Sequence, residues 1–167
     1  MEPTFNNILW RQLGAAIDML SNAVEACPEQ VWSAPAREGH RHTEFWYIAF
    51  HTLFFLDLYL SGSLDGFAPP APFGLEELDP AGIIPERPYT KHDLTKYVAH
   101  CREKCRSVIR GMNGHAAERR CHFDWLDISF GELQLVSLRH VQHHAGQLNL
   151  ILRQTGNAPP RWVKAAE

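Results

Sequence analysis

The chain has 167 residues, of which 45% are hydrophobic and 11% aromatic, and its formal net charge at pH 7 is −3. This length and apolar content predict a single domain, residues 1–167, and the charge excludes the basic surface that nucleic-acid binding requires. No stretch of about 18 apolar residues is free of charge, which argues against a membrane-spanning helix. Nothing at the N-terminus resembles a signal peptide, so we expect a cytoplasmic protein.

The first two helices are predicted from the spacing of apolar residues. Those in 5–26 recur at helical intervals and stop before Pro28, which predicts the first helix. The second is predicted to begin at Thr43 as N-cap and to end by Gly62. Its apolar residues wrap most of the circumference, as in a helix packed on several sides. His51 lies within it, and a buried imidazole nitrogen without a partner costs about 1–3 kcal/mol.

A long loop, residues 62–89, follows the second helix and contains six of the eleven prolines. Loops of this length are uncommon in a compact domain unless they are functional or disordered. Its apolar residues, among them Phe67 and Phe73, argue against disorder. We expect the loop to pack over one open end of the bundle that the helices form and to shape a pocket there. The alternative is a proline-stiffened loop without a function.

Two further helices begin at capping-box patterns. Thr90 with Asp93 predicts a third helix that reaches about Met112, and Ser129 with Glu132 predicts a fourth that Gly156 ends. Four helices in a chain of this length predict an all-α fold, an up-and-down four-helix bundle. In such bundles, metal ligands on facing helices project inward.

The fourth helix carries a pair of histidines suited to binding a metal ion. His140 and His144 lie four residues apart, so their Cβ atoms are expected about 5–6 Å apart on one helix face. His143 is also a near neighbour of His140, but it lies about 100° to one side of His144. His51 is the best third ligand. Three imidazoles leave positions open on a divalent ion, as in catalytic sites. The alternative for each histidine is a core residue with one satisfied hydrogen bond.

The last helix also resembles that of a known family. The string His140-Val-Gln-His-His-Ala-Gly-Gln, an apolar run and then Arg153-Gln-Thr-Gly156 resemble the H-x-x-x-H-x-G-Q and R-x-x-G elements of the DinB-like superfamily. Trp32 and His51 match a Trp after the first helix and a His within the second, so the resemblance covers most of the chain. It implies a DinB-like bundle with His51, His140 and His144 as metal ligands and His143 left out. The ion is expected to be a divalent transition metal, most plausibly zinc or nickel.

The resemblance favours an enzyme that acts with a low-molecular-weight thiol, as an S-transferase or in a related thiol-dependent reaction. Metal coordination deprotonates a thiol and so activates it. A metal-dependent hydrolase is the second hypothesis, although neither Glu44 nor Asp57 is expected close enough to act as a base. The third is a non-catalytic, stress-linked bundle that binds a metal or ligand. A small-molecule substrate is expected, and a homodimer is a further expectation, because such bundles often dimerise.

The cysteines and the other tryptophans are interpreted without a role in the metal site. The cysteines are too sparse for a secreted disulfide framework, so free thiols are expected. A structural zinc site is a minor alternative, because the spacing fits no usual knuckle pattern; its ligands would be Cys101, Cys105, Cys121 and His122. Three tryptophans are interpreted as core or surface-cap aromatics, with substrate stacking as the alternative; these are Trp46, Trp125 and Trp162.

Overall fold

The computed structural model describes residues 4–35 and 42–167. Four long helices dominate the fold, which confirms the predicted all-α class and the number of long helices. The elements in chain order are α1 (Phe5–Ala26), α2 (Glu29–Trp32), α3 (Phe45–Ser61), a 3₁₀ turn (Glu76–Leu78), α4 (Lys91–Gly111), α5 (Gly114–Glu118), β1 (Arg120–Phe123), β2 (Leu126–Ser129) and α6 (Phe130–Gln154). The short helices and the antiparallel β1–β2 hairpin were not predicted from the sequence.

The predicted helix starts are largely confirmed by their caps. Thr90 Oγ1 accepts a hydrogen bond from the Asp93 backbone N–H at 3.1 Å, and Ser129 Oγ accepts one from the Glu132 N–H at 3.3 Å. These bonds satisfy backbone donors that the first turn of a helix leaves free. The N-cap of α3 is Glu44 rather than Thr43, and it makes no side-chain capping bond.

The four long helices do not simply alternate in direction. Each of α1 and α3 packs against both α4 and α6, so α1 and α3 occupy opposite corners of the bundle. The Lys91 ammonium donates to the Glu25 carbonyl, which places the start of α4 at the end of α1. Trp32 contacts Phe45 and donates to the Tyr89 carbonyl, so α3 and α4 begin at the same end. The Gln134 amide donates to the Tyr59 carbonyl, so α6 begins where α3 ends. The order of directions is therefore up, down, down, up, which refines the predicted up-and-down arrangement.

This order requires the long loop 62–90 to return along the whole bundle. Its side chains pack along α3 on the way back, because Phe67 contacts Phe54, and Phe73 stacks on Phe50 at a ring-centroid distance of 5.7 Å. Phe73 is buried, with an exposed fraction of 7%. The loop therefore passes beside the helix that carries His51.

Helix α3 is enclosed on nearly all sides. Fourteen of its seventeen residues are buried, including Asp57. The Asp57 carboxylate accepts hydrogen bonds from the Lys104 ammonium and from the Tyr97 hydroxyl, which pairs a charge that would be costly to bury alone. Its apolar circumference reflects burial within a bundle, and in the parts of the chain that the structure describes no helix could cross a membrane.

Candidate metal centre

The three predicted ligands meet between α3 and α6. His51 projects from α3, and His140 and His144 project from successive turns of α6. One ring nitrogen from each residue lies within 4.8 Å of the other two. The Nε2 atoms of His51 and His140 are 3.3 Å apart, and the ring centroids of His140 and His144 are 4.5 Å apart. We call these three residues the histidine trio.

Two members of the trio are oriented by hydrogen bonds from their outer nitrogens. His51 Nδ1 donates to Glu77 Oε2 at 2.7 Å, and His144 Nδ1 donates to Gln147 Oε1 at 2.6 Å. Because an acceptor oxygen fixes the proton on Nδ1, the Nε2 lone pair of each ring stays available. An imidazole bonded in this way to a carboxylate or amide is the usual support of a metal-binding histidine.

The environment keeps the α6 imidazoles neutral. Burial, with smaller contributions from the neighbouring imidazoles, lowers the pKa of His140 to about 3. Burial also lowers the pKa of His144 to about 4, although its bond to Gln147 acts in the opposite direction. Neutral imidazole is the form that binds a metal ion, so no proton needs to be displaced from either ring near pH 7.

These features fit a metal ion better than a set of core histidines. Within the described residues, the ring of His140 has no hydrogen-bond partner on its buried Nδ1, so no side chain outside the trio orients it. Its Nε2 faces the Nε2 of His51, whose proton lies on the other nitrogen. A cation bound by both lone pairs would explain this arrangement. The ligand assignment itself stays a prediction, and the bound ion would have three protein ligands.

His143 lies outside the trio. Its ring contacts His144 at a centroid distance of 5.0 Å, but its side chain is exposed and lines a groove between α1 and α6. Within the described chain, the only group of three or more suitable donors is the trio, so the cysteines do not form a zinc site with His122.

A polar chamber of about 340 Å³ opens beside the trio. Its lining includes Tyr47, Glu77 and Gln147 together with His51 and His144. Burial, together with the hydrogen bond and the negative charge of Glu77, raises the pKa of Tyr47, which therefore remains a neutral hydroxyl. This chamber gives a small polar molecule access to the imidazoles.

Glu77 is the functional residue that sequence reasoning missed. The sequence analysis weighed only Glu44 and Asp57 as carboxylates near the site, whereas the 3₁₀ turn of the long loop brings Glu77 to His51. Asp57 was correctly set aside, since it faces α4. No periodic pattern links a loop residue to a helix 26 positions earlier, and the unusual length of the loop was the sole signal.

The four cysteines are all buried with free thiols. Burial raises the pKa of Cys27 and of Cys105 to about 12 and raises that of Cys101 well above its usual range. Because the thiolate is the reactive form, these side chains are inert near neutral pH.

Comparison with known proteins gives the family. A search of curated proteins found no match. Among solved structures, a crystal structure of a DinB-like protein from Bacillus subtilis is similar, with a TM-score of 0.63 and 16% sequence identity over 95% of this chain and 99% of that one. At this identity the likeness shows the fold alone. The family model of the DinB superfamily matches residues 12–148, which is most of the chain. The chain therefore belongs to the DinB superfamily.

Proposed function

We propose that this protein is a metal-dependent enzyme whose divalent ion, zinc or nickel, is held by His51, His140 and His144. The observation that carries the proposal is the convergence of three ring nitrogens from two helices within 4.8 Å, two of them on imidazoles kept neutral by burial. The superfamily is often metal-dependent, which agrees with this reading. Three protein ligands leave open positions, and open positions are typical of catalytic ions.

We further propose transfer of a low-molecular-weight thiol to a small electrophile. A bound divalent ion would lower the pKa of the thiol, so that the thiolate predominates near pH 7. In the net reaction the sulfur–carbon bond forms, the carbon–chlorine bond of a chlorinated substrate breaks, its electron pair leaves as chloride, and the thiol proton passes to solvent. The thiol must come from solution, because all four protein thiols are buried.

The chain's own residues would prepare the site for this reaction. Glu77 and Gln147 hold the rings of His51 and His144 with their free nitrogens turned inward. The Tyr47 hydroxyl lies against Glu77 and lines the polar chamber, where it is available to a polar substrate.

Glu77 also favours a second function, metal-dependent hydrolysis. A carboxylate in the polar chamber could accept a proton from an attacking water, which a hydrolase requires and a thiol transferase does not. Its Oε2 is already bound to His51, whereas Oε1 is buried and has no hydrogen-bond partner among the described residues. We rank this function second because the engaged oxygen orients His51.

Metal content is the first test. We would measure it by elemental mass spectrometry on untagged protein purified without chelator, beside the His51→Ala/His140→Ala double variant and a His143→Ala control. We expect about one equivalent of a transition metal in the wild type and in His143→Ala, and its loss in the double variant, since each lost ligand weakens the site. Absence of metal from the wild type after incubation with zinc and nickel would refute the proposal.

The reaction class is tested separately with the metal-loaded protein. Consumption of a chlorinated or epoxide substrate that depends on both metal and added thiol would support thiol transfer. Ester or amide cleavage without thiol would instead establish hydrolysis and refute thiol transfer.

A further inference from the structure

A second chamber lies beside the trio and, apart from His51, is lined by other side chains than the polar chamber. It has a volume of about 240 Å³ and is lined by His51, Phe55, Tyr59, Trp125 and His140. We call it the aromatic chamber. His51 lines both chambers, so molecules bound in the two would approach the same group of imidazoles.

The walls of the aromatic chamber come from α3 and from the hairpin. The turn between β1 and β2 carries Trp125, whose indole N–H donates to the Tyr59 hydroxyl oxygen at 3.1 Å. Its ring stacks on Phe123 at a centroid distance of 5.4 Å and meets Phe55 edge to face at 6.1 Å. These contacts fix the position of a side chain that is still 48% exposed. Trp125 therefore forms a firm outer wall instead of filling the core.

Among the described residues, no charged side chain lines this chamber, whereas the polar chamber contains the Glu77 carboxylate. The Trp125 indole N–H is taken up by the Tyr59 oxygen, so the polar groups left beside the ring faces and edges are the Tyr59 O–H and the imidazole nitrogens. Aromatic walls favour flat partners, which stack on them or meet them edge to face. The volume is sufficient for such a group, because an apolar cavity of about 150 Å³ holds benzene.

We infer that the aromatic chamber binds a planar, uncharged, apolar group of the electrophilic substrate, with Trp125 as the residue that selects it. This inference rests on the proposed function, since it assigns the chamber to the second substrate of that reaction. Aromatic rings also attract ammonium groups, but a divalent ion bound by His51 and His140 would repel a cation at this position. An anion would instead be attracted by that ion, so benzoate is tested on chelator-treated protein, where it would have to give up its hydration beside a described lining without a cationic side chain.

The test uses nuclear magnetic resonance of the ¹⁵N-labelled full chain, in the metal state in which it is purified and again after zinc loading. Benzoate is titrated into chelator-treated protein, so that it cannot bind a metal ion. Four probes would be titrated: benzyl alcohol, cyclohexylmethanol, benzoate and benzyltrimethylammonium. The indole signal of Trp125 reports binding in the wild type and is assigned by its absence from Trp125→Phe. Backbone amide signals of the hairpin report binding in every variant.

We expect benzyl alcohol to shift these signals saturably and to bind more tightly than the other three probes. Loss of one stacking wall should weaken its binding about fivefold in Trp125→Ala. The affinity for benzyl alcohol should fall less in Trp125→Phe, because this variant retains an aromatic side chain in the wall. Trp162→Ala is the matched control, because Trp162 is another exposed tryptophan and lines the α1–α6 groove but not the aromatic chamber.

Tighter binding of the ammonium probe to the zinc-loaded protein, or of benzoate to the chelator-treated protein, would overturn the inference. An equal loss of affinity in Trp162→Ala, or no saturable shift with any probe, would also overturn it. Because these shifts are measured without turnover, they are independent of the metal analysis. A protein that binds benzyl alcohol but no metal would refute the proposed function alone, and one with metal but without probe binding would refute this inference alone.

Discussion

At His51 a single hydrogen bond determines which nitrogen faces the centre of the site. Glu77 accepts the Nδ1 proton at 2.7 Å, and only 6% of its own side-chain surface is exposed, so the bond is shielded from competing water. The carboxylate also increases the basicity of the ring, which would strengthen binding of a metal ion. In the proposed site, Glu77 is therefore a positioning residue.

Replacement of Glu77 tests this role. Glu77→Gln retains the shape of the side chain but removes its charge, and loss of such a partner lowers metal affinity by about 10–100-fold. The affinity would be measured by competition with a chromogenic zinc chelator. The control is Glu86→Gln, an exposed glutamate of the same loop, which should bind zinc like the wild type. Equal affinity in the two variants would show that Glu77 does not support the ligand.

The lowered pKa values predict how acid affects the metal-free protein. His140 and His144 have pKa values of about 3 and 4 in the folded state, below their usual value of 6.5. Between these values the unfolded chain binds more protons than the folded one, so the free energy of unfolding must fall as the pH falls from about 7 to 4.

The measurement is urea unfolding of chelator-treated protein at pH 7 and pH 5. We expect a smaller loss of stability over this interval in His140→Ala/His144→Ala than in the wild type. The same pH dependence in both proteins would mean that the two imidazoles titrate normally.

At the scale of the elements, the C-terminal segment packs against α1 next to Gly14. The Ala166 backbone N–H donates to the Arg11 carbonyl at 2.9 Å, and Ala166 is buried. A Cβ atom at Gly14 would lie 2.6 Å from the Ala166 Cβ, closer than two carbons can approach. The absence of a side chain at Gly14 therefore allows this segment to pack on α1.

Gly14→Ala should destabilise the protein. Overpacking typically costs about 1–3 kcal/mol, and the C-terminal segment is expected to leave α1. Gly146→Ala is the matched change on α6, where a Cβ would meet nothing within 4 Å, and it should add roughly 0.5–1 kcal/mol through helix propensity. Thermal unfolding of both variants checks the prediction. A Gly14→Ala protein as stable as the wild type would contradict the close contact.

The helices could be predicted from sequence because their signals are local. Thr90 and Ser129 each cap a helix through the residue three positions later, so they mark the helix starts in the sequence. The two trio members on α6 lie four residues apart, and this spacing alone places them on one face. Glu77 and Trp125 could not be predicted, because both lie in connecting segments and reach the site through the tertiary fold. The parallel direction of α3 and α4 was also not predicted, because it depends on whether the loop 62–90 crosses the length of the bundle.

For the whole molecule, the trio links α3 to α6, and an ion bound there would oppose their separation. Ligand at 100 times its Kd adds about 2.7 kcal/mol to the free energy of unfolding. For a chain of this size that corresponds to an increase in Tm of about 5–10 °C.

Calorimetry of chelator-treated protein with and without added zinc checks this effect, and the His51→Ala/His140→Ala variant should not respond. An equal increase in that variant would place the stabilising ion elsewhere. The expected homodimer stays a prediction, which sedimentation of the same samples would test.

The parallel course of α3 and α4 has a consequence for how substrate preference can diverge among proteins with this bundle. A connection long enough to return along the bundle is unavoidable, and here it delivers Glu77 to the polar chamber. Loops accept substitutions and changes of length more readily than buried helices do. Residues of 62–90 that line the polar chamber, as Glu77 does, can therefore change while the four helices and the three imidazoles remain as they are.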